Sequence, residues 1–383
     1  MKKEIIVYSP GNPDDLATWS NVPYFFCKTL ENQNIKVDKV DISVKKDIFT
    51  LPIIVYSKIK EKILQKIFDK NTEYSFFRNK LFNKIMLSKM KKRDKKYPNA
   101  DIQVVFDFSH VITNKKKFIM LCDWTIEYYI REHLRRSPNK YEMKLIQEQY
   151  NEMSKSNAII SIFPESYKQI KEYFPNKTFY FGHVVNSLAK YKDNRLNQFN
   201  KRNVLFIGNI KYIKGLEFLI AAINKYNSDC NTSNEKLTLN VIGIERTQVK
   251  SDLNCDFCKF YGYLNKTDLE DRKKYYTILC NSRVVVNPTA NWNGASSLFE
   301  SLYLGVPIIV SPNIEIKTLL KDQRFCDFCD PTSIESLEEK LKNTFTENFK
   351  VFANKSLEAH NFAKQYTWDK FIEKFNNLID SIN

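Results

Sequence analysis

Hydrophobic and polar residues along this chain divide it into two kinds of segment. Short β-branched or aliphatic runs predict buried strands, and longer segments with apolar residues every three or four positions predict helices. A strand is predicted at 4–8, a helix at 22–31 and a second strand at 37–42. A strand, a helix and a strand in this order are typical of a parallel βαβ unit.

The same pattern continues through the first half of the chain. It predicts a long helical region at 127–154 and further strands at 101–108, 117–122, 158–162 and 178–186. The following segment, 188–201, is polar and has no apolar period, so we interpret it as an interdomain linker. We therefore predict a first α/β domain over residues 1–187.

After the linker the alternation starts again. It predicts helices at 215–224, 268–280 and 335–345, and strands at 203–207, 237–242, 260–264, 284–287 and 306–310. We predict a second doubly wound α/β domain over residues 202–365, and a C-terminal helix within 366–383 that packs back towards the first domain. A length of 383 residues suits two domains of about 150–200 residues.

Charge changes this picture in one segment. The formal net charge is +16, and residues 58–96 alone carry 14 Lys or Arg against 4 Asp or Glu. One interpretation is a solvated pair of helices with one face on the sheet. The other, which we favour slightly, is a basic amphipathic surface on an anionic membrane. No nucleic-acid-binding motif accompanies the cations, so no nucleic acid is expected as a partner.

Cysteine usage and hydropathy bear on the compartment. The chain has 8 cysteines but no apolar run near the length of a membrane span, and its first strand turns polar too early for a secretory signal. We expect reduced thiols and a cytoplasmic location, either free or peripheral on the inner face of the plasma membrane. The tetrapeptide Cys-Asp-Phe-Cys occurs at 255–258 and 326–329. A shared zinc site is an alternative, but structural thiols are the expectation.

Candidate chemistry begins with residues 284–310. A β-branched strand ends at Asn287 and Pro288, a polar loop follows, and a short helix begins near Ser296 and Ser297. Free backbone N–H groups and the helix dipole make such a corner an anion site. Glu300, on that helix, has a carboxylate able to accept hydrogen bonds from the two hydroxyls of a ribose. The corner therefore suits a nucleotide diphosphate.

A second loop has matching chemistry. The strand 203–207 leads into a loop in which Lys214 stands just before a predicted helix. A cation at a helix N-terminus is slightly unfavourable with the dipole, which favours a functional role over a solvated one. Its ammonium could neutralise the β-phosphate of a leaving nucleotide diphosphate.

These two segments resemble the donor site of the family 4 glycosyltransferases, in which a glycine loop precedes a glutamate helix that ends in Gly-x-Pro. The resemblance covers nearly the whole chain and is stronger in the second domain. It implies an α/β GT-B fold, with two Rossmann-like doubly wound domains facing across a cleft. It also implies a nucleotide-sugar donor, retention of the anomeric configuration, and neither a catalytic metal nor a cofactor.

The sequence departs from the family at three positions. Asn209 stands where the family has a phosphate-binding arginine, so Lys211 or Arg202 could supply the missing charge. Trp292 stands where the first of two glutamates is expected, which leaves Asn291 and Asn293 as the nearest polar residues towards the sugar. The first domain has no histidine after the strand 117–122.

Remaining candidates follow from position. Asp123 ends a first-domain strand and is the first choice for orienting the acceptor or a sugar hydroxyl, with His110 as its rival. Trp124 could stack on a sugar or pack in the core. The donor-binding candidates are Gly11, Asn209, Lys214, Tyr263, Gly294, Ala295, Ser296, Ser297 and Glu300.

We therefore expect a hexosyl-type glycosyltransferase whose acceptor is a surface polysaccharide, a lipopolysaccharide or another glycan or lipid-linked molecule. Asp123, Lys214 and Glu300 would be its catalytic residues. Two alternatives remain: a basic nucleic-acid-binding protein, and a homologue that binds the donor but is catalytically inactive.

Overall fold

Two compact units make up the chain. The computed structural model describes residues 4–44, 47–48, 50–68, 80–290 and 294–382. Unit 1 combines Met1–Gly182 with Trp368–Asn383, and unit 2 is His183–Thr367. Each unit is an α/β structure built on one parallel sheet, as the alternating pattern predicts.

Unit 1 has six parallel strands in the order β2-β1-β3-β4-β5-β6. They are β1 (Glu4–Ser9), β2 (Lys36–Asp41), β3 (Ile102–Val105), β4 (Lys117–Cys122), β5 (Ala158–Ser161) and β6 (Thr178–Tyr180). Its helices are α1 (Val22–Asn32), α2 (Leu51–Ile67), α3 (Lys80–Asp94), α4 (Ile126–Tyr128), α5 (Lys140–Met153) and α6 (Pro164–Tyr173). The strand order reverses between β1 and β3, where open α/β sheets bind ligands.

The last helix of the chain completes unit 1. The aromatic ring of Phe26, on α1, lies 5.1 Å from that of Phe375 and 6.3 Å from that of Phe371. Both partners belong to the C-terminal helix, Trp368–Ser381. That helix has a strongly apolar face, and its buried residues pack against the buried residues of α1.

Unit 2 also has six parallel strands, in the order β12-β11-β10-β7-β8-β9. They are β7 (Asn203–Ile207), β8 (Thr238–Ile242), β9 (Cys258–Phe260), β10 (Val284–Asn287), β11 (Ile308–Val310) and β12 (Cys326–Phe328). The helices in chain order are α7 (Arg195–Asn200), α8 (Ile213–Ser228), α9 (Leu269–Cys280), α10 (Ala295–Tyr303), α11 (Ile314–Leu320), α12 (Ile334–Thr346) and α13 (Phe349–Ala363), with α14 (Trp368–Ser381) closing unit 1. Here the order reverses between β7 and β10.

Some predicted elements differ from the observed ones. The region 127–154, predicted as one helix, is broken into α4, a π-helical turn at Tyr129–His133 and α5. Ser137 and Pro138 lie in the gap, and a proline disfavours helical geometry in the residue before it. The segment 188–201, predicted as a linker, contains α7, and β9 ends at Phe260, where the predicted strand begins.

The repeated Cys-Asp-Phe-Cys motifs cannot share a zinc ion. Cys258 begins β9 and Cys326 begins β12, and these two strands are the opposite edges of the unit 2 sheet. Neighbouring strands are about 4.8 Å apart, so five spacings separate the motifs by roughly 24 Å. Burial is the first cause that raises the pKa of the Cys329 thiol to about 12, which is consistent with structural thiols.

Hydropathy gives one further observation. Among the helices of the described ranges, none combines the length and the apolar composition needed to cross a bilayer.

Candidate donor and acceptor sites

Two loops meet at the strand-order reversal of unit 2. One joins β7 to α8, the other joins β10 to α10, and β7 and β10 are paired in register in the sheet. Gly215 on α8 touches the second loop so closely that a Cβ there would overlap the hydroxyl of Thr289 and lie 3.0 Å from its backbone nitrogen. The sequence predicts both loops, and the structure brings them into contact at the carboxyl edge of the sheet.

The entrance to α10 is shaped by Gly294. It is the N-cap residue with φ +68°, a left-handed conformation that favours glycine. The Ser297 hydroxyl donates to the Gly294 carbonyl at 2.9 Å, while Ala295 is buried and Ser296 half-buried. The ring of Tyr212, from the other loop, lies beside Gly294. The Ser297 N–H also donates to the Gly294 carbonyl, at 3.1 Å, so the N–H groups of Ala295 and Ser296 are the ones at the start of α10, beside the β7–α8 loop, that an anion could use.

The cations predicted for the phosphate loop lie in different places. Lys214 is exposed in the first turn of α8, and Lys211 is exposed in a 3₁₀ turn capped by the Asn209 side chain, which accepts from the Lys211 N–H at 3.0 Å. Arg202 precedes β7, at the amino end of the strand, and donates to the Tyr226 hydroxyl at 2.6 Å. The sheet therefore separates Arg202 from the loop, and only Lys211 remains to compensate for Asn209.

Glu300 lies at the centre of a buried hydrogen-bonded cluster. Its side chain is 3% exposed and accepts from Lys266 Nζ at 2.6 Å, from the Tyr275 hydroxyl at 2.8 Å and from the Tyr276 hydroxyl at 2.7 Å. Burial first, and then the Glu300 charge, raise the pKa of both tyrosines. The carboxylate thus already has three donors.

Lys266 is half-buried, as is Tyr276, whereas Tyr275 is buried. Lys266 lies on the loop after β9, its side chain is 16% exposed, and its ammonium is 4.0 Å from the centre of the Tyr275 ring. Sequence reasoning missed Lys266, Tyr275 and Tyr276. The only available signal was a lysine shortly before the helix that carries both tyrosines.

The remaining unit 2 candidates are less constrained. Tyr263 is on the same loop as Lys266 and is 70% exposed. The sugar-side candidates Asn291, Trp292 and Asn293 fall outside the described residues.

Unit 1 holds a cavity of about 440 Å³ at the carboxyl edge of its sheet. Its walls come from the ends of β1 to β4 and from α3, α4 and α5, and they combine polar, aromatic and apolar side chains. The polar and aromatic lining includes Asp107, Ser109, His110, Asp123, Trp124, Thr125, Tyr129 and Gln149. Both first-domain candidates, Asp123 and His110, therefore line one cavity.

Asp123 has an unusual environment for a carboxyl group. Burial raises its pKa, and hydrogen bonds from the Cys122 thiol, the Trp124 backbone and the Trp19 side chain offset this only in part. A raised pKa lets a carboxyl group hold or exchange a proton nearer neutrality.

His110 forms a dyad with Asp107, which sequence reasoning missed. His110 Nδ1 is 2.8 Å from Asp107 Oδ2, and its Nε2 is 3.2 Å from Asn83 Oδ1. Burial lowers the pKa of His110, but the charge and hydrogen bond of Asp107 outweigh it, so the pKa is raised overall. A turn in which Asp107 accepts from the His110 N–H fixes the pair.

The β1–α1 loop beside the cavity is strained. Trp19, Ser20 and Asn21 all have positive φ, a conformation that costs a non-glycine residue about 1–2 kcal/mol. Gly11 opens this loop with its N–H donating to the Ser9 carbonyl at 2.9 Å. Such strain is often found at binding sites.

Trp124 is engaged by protein rings. Its ring lies 5.8 Å from that of Phe163 in a stacked arrangement and 4.5 Å from that of His133. Packing therefore accounts for much of this side chain, although it also lines the cavity.

In the part of the chain that the structure describes, no cluster of three or more His, Cys, Asp or Glu side chains could hold a metal ion.

The sequence of unit 2 matches a known protein family. Residues 201–347, almost all within unit 2, match a family described as glycosyl transferases group 1. No curated protein sequence matches the chain.

Solved structures share the fold over all or most of this chain. A sucrose-phosphate synthase from Thermosynechococcus elongatus is similar with a TM-score of 0.70 and 12% identity, over 100% of this chain and 99% of that one. WaaG, a glycosyltransferase involved in lipopolysaccharide biosynthesis, has a TM-score of 0.61 and 11% identity, over 98% and 99%. A TarM variant from S. aureus, in complex with fondaparinux, alpha-GlcNAc-glycerol and UDP, has a TM-score of 0.58 and 15% identity. The similarity covers 76% of this chain and 58% of that one.

The two sheets and these similarities define an α/β protein of the GT-B class, which confirms the predicted fold class. The family match shows that residues 201–347 are similar to group 1 glycosyl transferases, in agreement with the resemblance of the donor segments.

Proposed function

We propose that this protein is a glycosyltransferase that transfers a hexosyl group from a nucleotide-diphosphate sugar, with retention, to a surface-polysaccharide, lipopolysaccharide or lipid-linked acceptor. The observation that carries the proposal is the contact between the β7–α8 and β10–α10 loops at the strand-order reversal of unit 2. Such reversals are where open α/β sheets bind nucleotides.

Phosphate binding is assigned to this corner. The backbone N–H groups of Ala295 and Ser296, within Gly294–Ser297, would hold phosphate or sugar oxygens. Lys214, exposed in the first turn of α8, would neutralise the charge that develops on the leaving diphosphate, with Lys211 and Asn209 beside it. The proposal assigns this charge to lysine rather than to a metal ion, and it requires no cofactor.

Ribose binding is assigned to Glu300. Because three donors already occupy its carboxylate, ribose hydroxyls must displace one of them. Lys266 is the natural candidate, since Tyr275 is buried whereas Lys266 reaches solvent.

Acceptor binding is assigned to the unit 1 cavity. A cavity of about 440 Å³ with carboxyl, imidazole, amide and aromatic groups suits a sugar, whose hydroxyls need donors and acceptors and whose apolar face needs a ring. Asp123 would hold the reacting face. His110, oriented by Asp107, is the alternative for receiving a proton.

The setting follows from charge and composition. We propose a cytoplasmic enzyme that is peripheral on an anionic membrane, where lipid-linked acceptors are found. The cation surplus within residues 58–96 supports this location over nucleic-acid binding, because it accompanies a large number of apolar residues.

A thermal-shift screen with UDP-, GDP- and other nucleotide sugars should first identify the donor, because a ligand of the folded state raises its apparent stability. Hydrolysis and transfer are then compared in Lys214→Ala, Glu300→Gln and Lys236→Ala. Lys236 is exposed just before β8, at the amino end of the strands and away from the two loops, and serves as the control. We expect Lys214→Ala to lower kcat/KM by about 10–100-fold and the control to leave it unchanged.

The outcomes separate the alternatives. Full activity in both site variants would refute the donor site. Donor stabilisation without turnover in the wild type would favour the inactive homologue. Salt-dependent binding to oligonucleotides without any donor effect would favour the nucleic-acid-binding protein.

A further inference from the structure

Helix α2 exposes a row of large aliphatic side chains. Leu51, Val55, Ile59, Ile63 and Ile67 follow one another at intervals of four residues, and each is between 48% and 65% exposed. Only Ser57 and Leu64 are buried in this helix. Amphipathic helices in globular proteins normally turn such a row towards the core.

Helical geometry places the row on one continuous face. At about 100° per residue, each step of four residues advances about 40°, so the five side chains span an arc of about 160°. On the same scale Ser57 and Leu64 lie about 240° and 220° from Leu51, on the opposite side. The helix therefore rests on unit 1 through the face that carries Ser57 and Leu64.

Helix α3 shows that the spacing alone does not cause this exposure. Phe82, Met86 and Met90 repeat at the same interval of four, and all three are buried in the unit 1 core. The two helices of the basic segment thus use the same pattern in opposite ways: α3 packs, and α2 presents its apolar side outward.

Cations accompany the exposed row. Lys58, Lys62 and Lys66 are also four residues apart, all are exposed, and their row runs alongside the aliphatic one. Glu61, the only acidic residue of α2, lies towards the packed side. The outward face of α2 is therefore apolar and positively charged, without a compensating carboxylate.

This combination selects one kind of partner. A nucleic acid would neutralise the lysines but leave the aliphatic side chains in water. A second copy of the chain would cover the aliphatic row but bring like charges together. An anionic lipid surface satisfies both rows, because acyl chains take up the side chains and headgroups meet the ammonium groups.

We propose that α2 lies in the plane of an anionic membrane, with its aliphatic row inserted at the boundary between headgroups and acyl chains and its lysine row at the headgroups. This deepens the proposed peripheral location and rests on it. The contact is a specific helix face rather than the whole basic segment, and it depends on insertion as well as on charge.

The experiment is vesicle sedimentation of the full-length protein. Phosphatidylcholine vesicles with and without phosphatidylglycerol are compared for the wild type, an Ile59→Ser/Ile63→Ser variant and a Leu196→Ser/Leu269→Ser control, which removes two exposed leucines from unit 2. We expect wild-type binding only to the anionic vesicles, a loss of at least tenfold in partition coefficient for the α2 variant, and no change for the control.

The melting temperature and the mass in solution of each protein are measured in parallel. All three proteins should share one melting temperature and one mass by light scattering. Undiminished binding of the α2 variant would overturn the insertion, as would equal wild-type binding to neutral vesicles. A wild-type dimer that the variant converts to monomers would assign the face to a second copy instead. Because no donor sugar is present, failure here leaves the donor-site measurements unaffected, and failure of transfer leaves this result unaffected.

Discussion

The Lys266–Glu300 pair gives the sharpest prediction for unit 2. The change is Lys266→Met and Glu300→Gln, made singly and together. Lys266 Nζ lies 2.6 Å from Glu300 Oε2, and the side chains are 16% and 3% exposed, respectively. Removal of one partner therefore leaves the other in a poorly hydrated position. Breaking a buried ion pair typically costs about 3–5 kcal/mol of unfolding free energy.

The structure adjusts this range for each variant. Lys266→Met leaves the Glu300 charge buried, but two tyrosine hydroxyls still donate to it, so we expect a loss of about 3 kcal/mol. Glu300→Gln leaves an ammonium that can turn towards solvent, so we expect about 2 kcal/mol. The double variant has no unpaired charge and should lose about 2–3 kcal/mol, which gives a coupling of about 2–3 kcal/mol.

Calorimetry together with urea denaturation measures these differences. Because the chain has two units, the transition of unit 2 must be assigned separately, and the denaturant slope must stay constant across the variants. Losses that add in the double variant to within about 0.5 kcal/mol would refute the coupling. The same proteins test the ribose assignment, because Lys266→Met should bind the donor at least as well as the wild type if the ribose displaces Lys266.

Three further predictions concern other positions. Gly215→Ala should destabilise unit 2 by about 2 kcal/mol or more through its overlap with Thr289; an unchanged melting temperature would contradict the close approach. Burial lowers the pKa of His183 to about 4, below its ordinary 6.5, so this residue costs no stability above pH 6.5, and the free energy of unfolding falls as the pH drops from 6.5 towards 4. His183→Gln should therefore reduce the dependence of the melting temperature on pH in this range, and an unchanged dependence would refute the prediction. Asp107→Asn should lower the pKa of His110, because burial then acts without the opposing charge; an unchanged imidazole titration by NMR would show that Asp107 is not the cause.

Local patterns predicted the α/β alternation because they are properties of consecutive residues. The run Val204–Phe206 is apolar and β-branched in part, and it became a strand buried on both sides, as parallel strands are. The loops after β7 and β10 could also be located, since a strand followed by a polar stretch and a helix is visible in the sequence. Their contact follows from strand order, which the spacing of elements does not reveal.

The Glu300 cluster could not be predicted in the same way. Lys266 is 34 residues from Glu300, and it reaches the carboxylate only because the β9–α9 loop passes beside α10. Arg202 illustrates the reverse case. It is close to the phosphate loop in sequence, but a strand separates them, so it lies at the other end of the sheet.

The helices α2 and α3 mark a further limit. Both have apolar residues at intervals of four among lysines, and the sequence gives no reason to treat them differently. Only tertiary packing distinguishes the buried row of Phe82 and Met86 from the exposed row of Ile59 and Ile63.

The discontinuous composition of unit 1 has a consequence for biosynthesis. Residues 183–367 form one uninterrupted stretch, so unit 2 can assemble as soon as that stretch has left the ribosome. Unit 1 begins earlier but cannot close, because Phe26 on α1 packs against Phe371 and Phe375 of α14, which are translated only after unit 2. At about 5–20 residues per second, that wait lasts tens of seconds or less. Of the two units, the one whose synthesis begins first is therefore the one completed second, and its exposed α1 face needs protection during synthesis.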